Sequence, residues 1–373
     1  MINFSLYRKE FPILEKYIYL NNAACGPMPL RTKKAIEKWL DKYVYEGNIE
    51  WEECERLSEE TREIVAKFLN ANKEEICFKR NTSEGILTVL SLIRFNKNDN
   101  IIIAKDNFPA NFLPYQNFDK VEKRYISILQ GDILKQIKKV FNRKTKLIAL
   151  DWIHFLSGYQ IPLKEISNFC KNYDCFLLID GIQGVGALEI DLKEIDIDFL
   201  VFGGGKWIFL PQGIGVLHIK KETLKKLKIE LIGWLGYEWK EFNKIFAKKR
   251  LKKSADKLEE GTKNYLGIIG LKENIKFLNE IGIKNIQNYL LFLTNYLIER
   301  LKDLNFNILE RNKGSGIVAC KRKDKESKIF YHKILEKGFK ISLRENYLRI
   351  SPHFYNTKEE IDNLIETLTF LIK

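Results

Sequence analysis

Five short apolar runs constrain this chain more than any other feature: NIIIAK (100–105), KLIALDWI (146–153), CFLLID (175–180), DFLVFG (198–203) and GIGVLHI (213–219). Each is strand-length, and its apolar residues follow one another rather than alternate. That is the signature of a strand covered on both faces. Between several of them lie segments with apolar residues three and four apart, at 132–141 and 163–173. In the second, Leu163, Ile166, Phe169 and Cys170 share a face, and Pro162 stands at the first turn. Strands alternating with helices imply an α/β domain around a mainly parallel sheet. From about residue 264 the pattern changes to long amphipathic helices (266–281, 284–303), then to a strand-rich tail, GIVACKR and KISLRENYLRISPHF. The tail suggests a smaller α+β domain. The stretch 237–257 has weak periodicity and reads as a connecting loop and helix. The division expected is a large domain over 16–240 and a small one made of 1–15 with 241–373.

Composition excludes several classes. With 373 residues, 45% hydrophobic and 30% charged, the chain is globular and long enough for roughly two domains. Even FLLIDGIQGVGAL (176–188) is broken by Asp180, Gly181 and Gln183, so no run approaches a membrane span. The opening MINFSLYRKEFPILEKY lacks a signal peptide's order of charged then apolar residues. Six cysteines (25, 54, 77, 170, 175, 320) form no CxxC, and the four histidines (154, 218, 332, 353) are scattered, so no metal site is expected. A reduced, cytoplasmic location fits. Lys and Arg number 63 against 49 Asp and Glu, a net charge of +14. The lysines are spread along the chain and mixed with glutamates, denser only at 220–228 and 244–257. That is a solvated surface, and it argues against a nucleic-acid partner.

The glycine-rich stretches fail as nucleotide sites. GIQGVG (181–186) is spaced GxxGxG rather than GxGxxG, and GGGK (203–206) lacks the earlier glycine and the following Ser or Thr of a phosphate loop. What remains is a constellation at strand ends. Asp180 ends CFLLID, with Gln183 three residues on, and Lys206 follows the next strand. Ligands of α/β sheets bind at such carboxyl ends. Upstream, CFKRNTSEG reads as a strand running into a helix. Asn81 is its N-cap, Glu84 holds the capping-box position, and Thr82 and Ser83 offer hydroxyls and N–H groups to a phosphate. An acid able to keep a pyridine nitrogen protonated, a lysine able to form a Schiff base and a phosphate cradle together suit pyridoxal 5'-phosphate. Each residue alone has a plainer role, Asp180 as a helix cap and Lys206 as a surface lysine; it is their conjunction that points to the cofactor.

The segment from WIHFLSGYQIP to PQGIGVLHI resembles the cofactor core of class V aminotransferase-like enzymes. This is a fold-type I group that includes cysteine desulfurases, kynureninase and isopenicillin N epimerase. YLNNAACGPMP (19–29), LEEGTKN (258–264) and LRISPHFYNTKEEID (348–362) extend the resemblance to nearly the whole chain. It implies a fold-type I α/β architecture and Lys206 as the Schiff-base lysine. Asp180 would pair with the ring nitrogen and Gln183 with the phenolic oxygen. Thr82 and Ser83 would hold the phosphate, and Phe108 would stack on the ring. Arg349 would grip the substrate carboxylate, with Asn22 and Ala23 along the substrate side. His154 falls near the position where relatives place a polar residue over the cofactor, although one residue of slippage puts Phe155 there. A homodimer is implied, in which Thr262 reaches the partner's phosphate site.

Three departures stand out. Where desulfurases carry Ser-x-His before the lysine, this chain has Gly203 and Gly205, and their stacking histidine is Phe108 here. No cysteine lies in SLRENYLR (342–349), and Cys320 sits in an apolar strand. The reading is therefore an aminotransferase-type enzyme acting at the amino group or α-carbon of a small amino acid. A cysteine desulfurase or carbon–sulfur lyase comes second, and an epimerase or a non-catalytic relative third.

Overall fold

The five apolar runs become neighbouring strands of one sheet. The computed structural model describes residues 3–47, 49–119, 121–239, 244–312 and 314–372. Its seven-stranded sheet comprises β1 (Ile76–Lys79), β2 (Asn100–Ala104), β3 (Glu122–Ile126), β4 (Thr145–Asp151), β5 (Phe176–Asp180), β6 (Phe199–Gly203) and β7 (Gly215–Ile219). Their order is β1-β7-β6-β5-β4-β2-β3. Strand β7 runs antiparallel to both its neighbours and the other pairings are parallel. Strand β3 carries no apolar run because it is the edge, and only Ile126 of EKRYI is buried.

Burial on both faces explains the continuous apolar runs. Ile102, Ile148, Leu150, Leu177, Ile179 and Leu200 point into one core. Ile101, Ile103, Leu147, Leu178, Phe199 and Val201 point into another on the opposite face. The alternation follows from the two-residue period of a strand. Helices α1 (Leu30–Asp41), α2 (Trp51–Phe68), α3 (Thr82–Leu92), α4 (Ile133–Val140) and α5 (Leu163–Asn172) belong to this part. Apolar residues of α3 join the second core, and those of α2, α4 and α5 join the first.

Helices α6 (Tyr265–Ile281) and α7 (Ile283–Asp303) follow, then α8 (Ser327–Glu336) and α9 (Lys358–Ile372). The tail forms a four-stranded antiparallel sheet of β8 (Asn307–Ile308), β9 (Val318–Lys321), β10 (Ser342–Arg344) and β11 (Tyr347–Ile350), ordered β10-β11-β9-β8. Its core collects Leu293, Leu297, Val318, Phe330, Leu348 and Leu364.

Two expectations need correction. Helix α6, which a division at 241 assigns to the small domain, buries Ile268, Leu271, Ile275 and Leu278 in the large core. The division point, 240/241, itself lies outside the described residues. The stretch 237–257 forms no α-helix among its described residues. It holds a bridge between Tyr237 and Leu251 and a 3-10 turn at Ala255–Leu258. The N-terminal segment does pack on C-terminal elements: Phe4 stacks on Tyr289 at 4.5 Å and Arg8 pairs with Glu360 at 2.7 Å.

One buried ion pair fixes the segment that carries Thr262. Arg62 Nη1 on α2 meets Glu259 Oε1 at 2.8 Å, and the same oxygen accepts the Phe78 N–H of β1 at 2.9 Å. Both side chains are almost fully buried, and removing Arg62 leaves Glu259 only a longer pairing with Lys263 at 3.5 Å. Arg62→Ala is expected to lower the unfolding free energy by about 3–5 kcal/mol, read from urea denaturation.

Candidate active site

Three strand ends and one hairpin build the site. Asp180 closes β5, and its Oδ1 accepts the Ile182 N–H at 2.9 Å. Lys206 lies three residues beyond β6, on a turn held by the Phe209 N–H to the Lys206 carbonyl and by the Gly26 N–H to the Gly205 carbonyl. Gly26 is obligatory there, because a Cβ would lie 1.9 Å from the Lys206 carbonyl oxygen. Helix α3 starts beside them. Asn81 caps it by accepting the Glu84 N–H at 2.9 Å, and Glu84 turns back to the Arg80 N–H at 2.7 Å. Thr82 and Ser83 thus stand in a first turn whose N–H groups have no intrahelical partner.

Thr82, Ser83, Phe108, Asp180 and Lys206 line one cavity of about 220 Å³. Lys206 Nζ lies 5.3 Å from the Phe108 ring centroid. Burial pushes the Lys206 amine down to about 8, with Arg349 and Arg344 acting the same way and Asp180 and Asp151 opposing. Burial pushes the Asp180 carboxyl up to about 6, against the Ile182 N–H and Lys206. Arg349 on β11 is buried. Its Nη1 donates to the Phe155 carbonyl at 2.8 Å, and no carboxylate pairs with it among the described residues.

Gln183, Asn22, Ala23, His154 and Thr262 are not among the residues that line this cavity. Gln183 is buried and tied to protein: its Nε2 donates to the Ala23 carbonyl at 3.0 Å and its Oε1 accepts the Trp207 indole N–H at 2.8 Å. Asn22 donates to the Ser351 carbonyl at 2.9 Å and accepts the Tyr355 hydroxyl at 2.8 Å, so its side chain braces the N-terminal segment. The Ala23 N–H donates to Ser351 Oγ. His154 is buried outside the cavity. Its Nδ1 accepts the Ser157 N–H at 3.1 Å, and burial lowers its proton affinity. Its ring is held by its own loop, and the neighbouring Phe155 ring packs against that of Phe108 at 5.3 Å. Thr262 lines a separate cavity within one chain, which shares Arg80, Gly213 and Ile214 with the first.

Sequence reasoning missed Asp151. It ends β4 opposite Asp180 in the β4–β5 register, and it is as deeply buried. The signal was present, since KLIALD and CFLLID are both apolar runs ending in Asp.

The fold, with a buried lysine near two buried carboxylates at strand ends, suits a cofactor-dependent α/β protein. The sequence matches the family described as Aminotransferase class-V over residues 18–364, and the chain belongs to that family. A probable cysteine desulfurase of Borreliella burgdorferi is 30% identical, covering 98% of this chain and 96% of its own. An uncharacterised aminotransferase of Bacillus subtilis is 24% identical, covering 97% and 96%. Among solved structures, the apo cysteine desulfurase of Thermococcus onnurineus NA1 superposes with a TM-score of 0.89 at 25% identity, covering 100% and 98%.

The cofactor of the family is pyridoxal 5'-phosphate, and the residues present fit it. Thr82 Oγ1 and Asp180 Oδ2 are buried polar atoms with no hydrogen-bond partner among the described residues. Such atoms are costly unless a ligand satisfies them.

The lowered Lys206 amine sets a pH dependence. Only the neutral amine attacks an aldehyde, so uptake of pyridoxal phosphate by the apoprotein is expected to accelerate with pH and level off near pH 8. An ordinary lysine would keep accelerating toward pH 10.4. Stopped-flow absorbance checks this. Asp180→Asn removes a charge that raises the Lys206 value, so the levelling point should move to lower pH.

Proposed function

We propose that this chain is an aminotransferase-type pyridoxal-phosphate enzyme acting on a small α-amino acid. The observation that carries the reading is a buried guanidinium, Arg349, with no carboxylate of its own, whose charge acts on a near-neutral lysine. A buried cation in that state is unstable unless an anionic ligand completes it. The substrate's α-carboxylate is that ligand, and Arg is suited to grip it through two parallel hydrogen bonds.

The protein's part follows from the residues. Thr82, Ser83 and the start of α3 would hold the cofactor's phosphate, Asp180 Oδ2 would face its ring nitrogen, and Phe108 would cover its face. Bound there, the cofactor supplies an electron sink for the substrate α-carbon. Lys206 Nζ, half neutral near pH 8, takes the proton from that carbon and returns it. Transamination asks of the protein only this proton carrier. The homodimer is likewise a proposal. Thr262 borders the cavity beside the phosphate position, and Val44, Tyr45, Leu231 and Phe246 are apolar side chains exposed to solvent.

A second reading, cleavage of a carbon–sulfur bond, is favoured by the relatives named cysteine desulfurase. Persulfide transfer needs a reactive thiol near the substrate. The β10–β11 hairpin carries none, and five of the six cysteines are buried. Cys25 is half-buried, and burial pushes its thiol up, away from thiolate. Cleavage here would therefore proceed by elimination. Incubation with alanine, aspartate and cysteine separates the readings. Conversion of the cofactor to its amine form supports transamination, and pyruvate with sulfide from cysteine supports elimination. Alanine with protein-bound persulfide would overturn both. Arg349→Lys is expected to raise KM about tenfold or more for every α-amino acid tried.

A further inference from the structure

Asp151 is a buried acid that the proposed chemistry does not use. It sits at the end of β4, directly across from Asp180, so two carboxylates lie on adjacent strands with little water. They are not equivalent. Asp180 has one oxygen with no partner, whereas both oxygens of Asp151 are taken. Asp151 Oδ2 accepts the Phe108 N–H at 2.7 Å and Oδ1 accepts Asn111 Nδ2 at 3.0 Å. Its own N–H donates to Asn107 Oδ1 at 3.1 Å. Asn107 in turn donates to the Asn111 and Ala149 carbonyls, each at 3.1 Å, and the Tyr115 hydroxyl donates to Asn111 Oδ1 at 3.0 Å.

These bonds converge on one object, the loop that carries Phe108 from β2 across the end of the sheet. Phe108 itself is 38% exposed and lines the cavity, its ring meeting Phe155 edge-on at 5.3 Å. A backbone N–H held by a buried carboxyl oxygen is costly to break, because the partner left behind is unsatisfied. Inside a protein such a network orders its members as a unit.

We propose that Asp151 is a positioning residue for the cofactor, acting through Phe108 by clamping that loop against the strand that neighbours Asp180. The assignment rests on the pyridoxal-phosphate reading above and adds to it the residue that sets the stacking ring. Burial and the neighbouring Asp180 push the Asp151 carboxyl well up, with the Phe108 N–H and the Asn111 amide opposing, so the clamp rests on its two hydrogen bonds.

The test is a double-mutant cycle on cofactor affinity, with Asp151→Ala, Phe108→Ala and the double variant compared with wild type. The dissociation constant is measured by equilibrium dialysis of pyridoxal phosphate. The induced circular-dichroism band of the bound cofactor reports how its ring is seated. Asp151→Ala is expected to weaken binding about tenfold and reduce the band, whereas in the Phe108→Ala background it should change affinity less than about twofold. Asp151→Asn retains an acceptor for the Phe108 N–H and should recover most of the affinity and the band. Losses that multiply in the double variant, or an unchanged band in Asp151→Ala, would overturn the assignment while leaving the cofactor reading intact. Should Asp151→Ala not fold, Asn111→Ala removes one clamp bond, and an unchanged band there would overturn the assignment equally. A wild-type chain that takes up no pyridoxal phosphate would overturn the cofactor reading, and with it this one.

Discussion

Everything in this protein's candidate site depends on holding charged groups out of water at the carboxyl ends of parallel strands. Asp151 and Asp180 end adjacent strands, and Lys206 follows the next. Burial is the largest cause that raises both acids and lowers the amine. Such a cluster is a cost to folding in the absence of a ligand. The sheet tolerates it because both its faces are packed with apolar residues, and the satellite hydrogen bonds to Phe108, Asn111 and Ile182 satisfy most of the carboxylate oxygens. The atoms left without partners are the ones a phosphate and a protonated ring nitrogen would complete.

The small sheet and the N-terminal segment close the same site from the other side. Ser351 accepts from Asn22 and Ala23, Tyr355 reaches Asn22, and the Gly26 turn rests on the Lys206 backbone. Arg349 comes from the adjoining strand and is anchored on the Phe155 carbonyl. The guanidinium is therefore positioned by a chain of contacts that runs from the hairpin into the large core. A shift of the N-terminal segment would move both the lysine turn and the carboxylate site. Gln183 and Asn22 serve this coupling, since their hydrogen bonds join segments more than 150 residues apart.

Much of the fold was legible because strands buried on both faces leave continuous apolar runs, and β2, β4, β5, β6 and β7 all did so. The edge strand β3 left no such run, because water covers one of its sides. Helices α1 and α2 carry mixed, highly charged sequences and escaped notice. Asp180, Lys206, Thr82, Ser83 and Phe108 stood out in the sequence through strand ends, a cap and family resemblance, and the structure brings them to one cavity. Gln183, Asn22 and His154 were not readable as brace residues, because their partners are distant or lie in their own loop. Asp151 carried the same strand-end signal as Asp180, but only the register of β4 against β5 shows that the two meet.

The central claim is that Lys206 is the amine this buried site presents to pyridoxal phosphate. The most direct measurement is borohydride reduction of the cofactor-loaded protein, followed by peptide mass mapping. The account predicts a single phosphopyridoxyl group on the peptide containing Lys206, absent from Lys206→Ala. Attachment at another of the chain's many lysines, or none at all with cofactor bound, would contradict it.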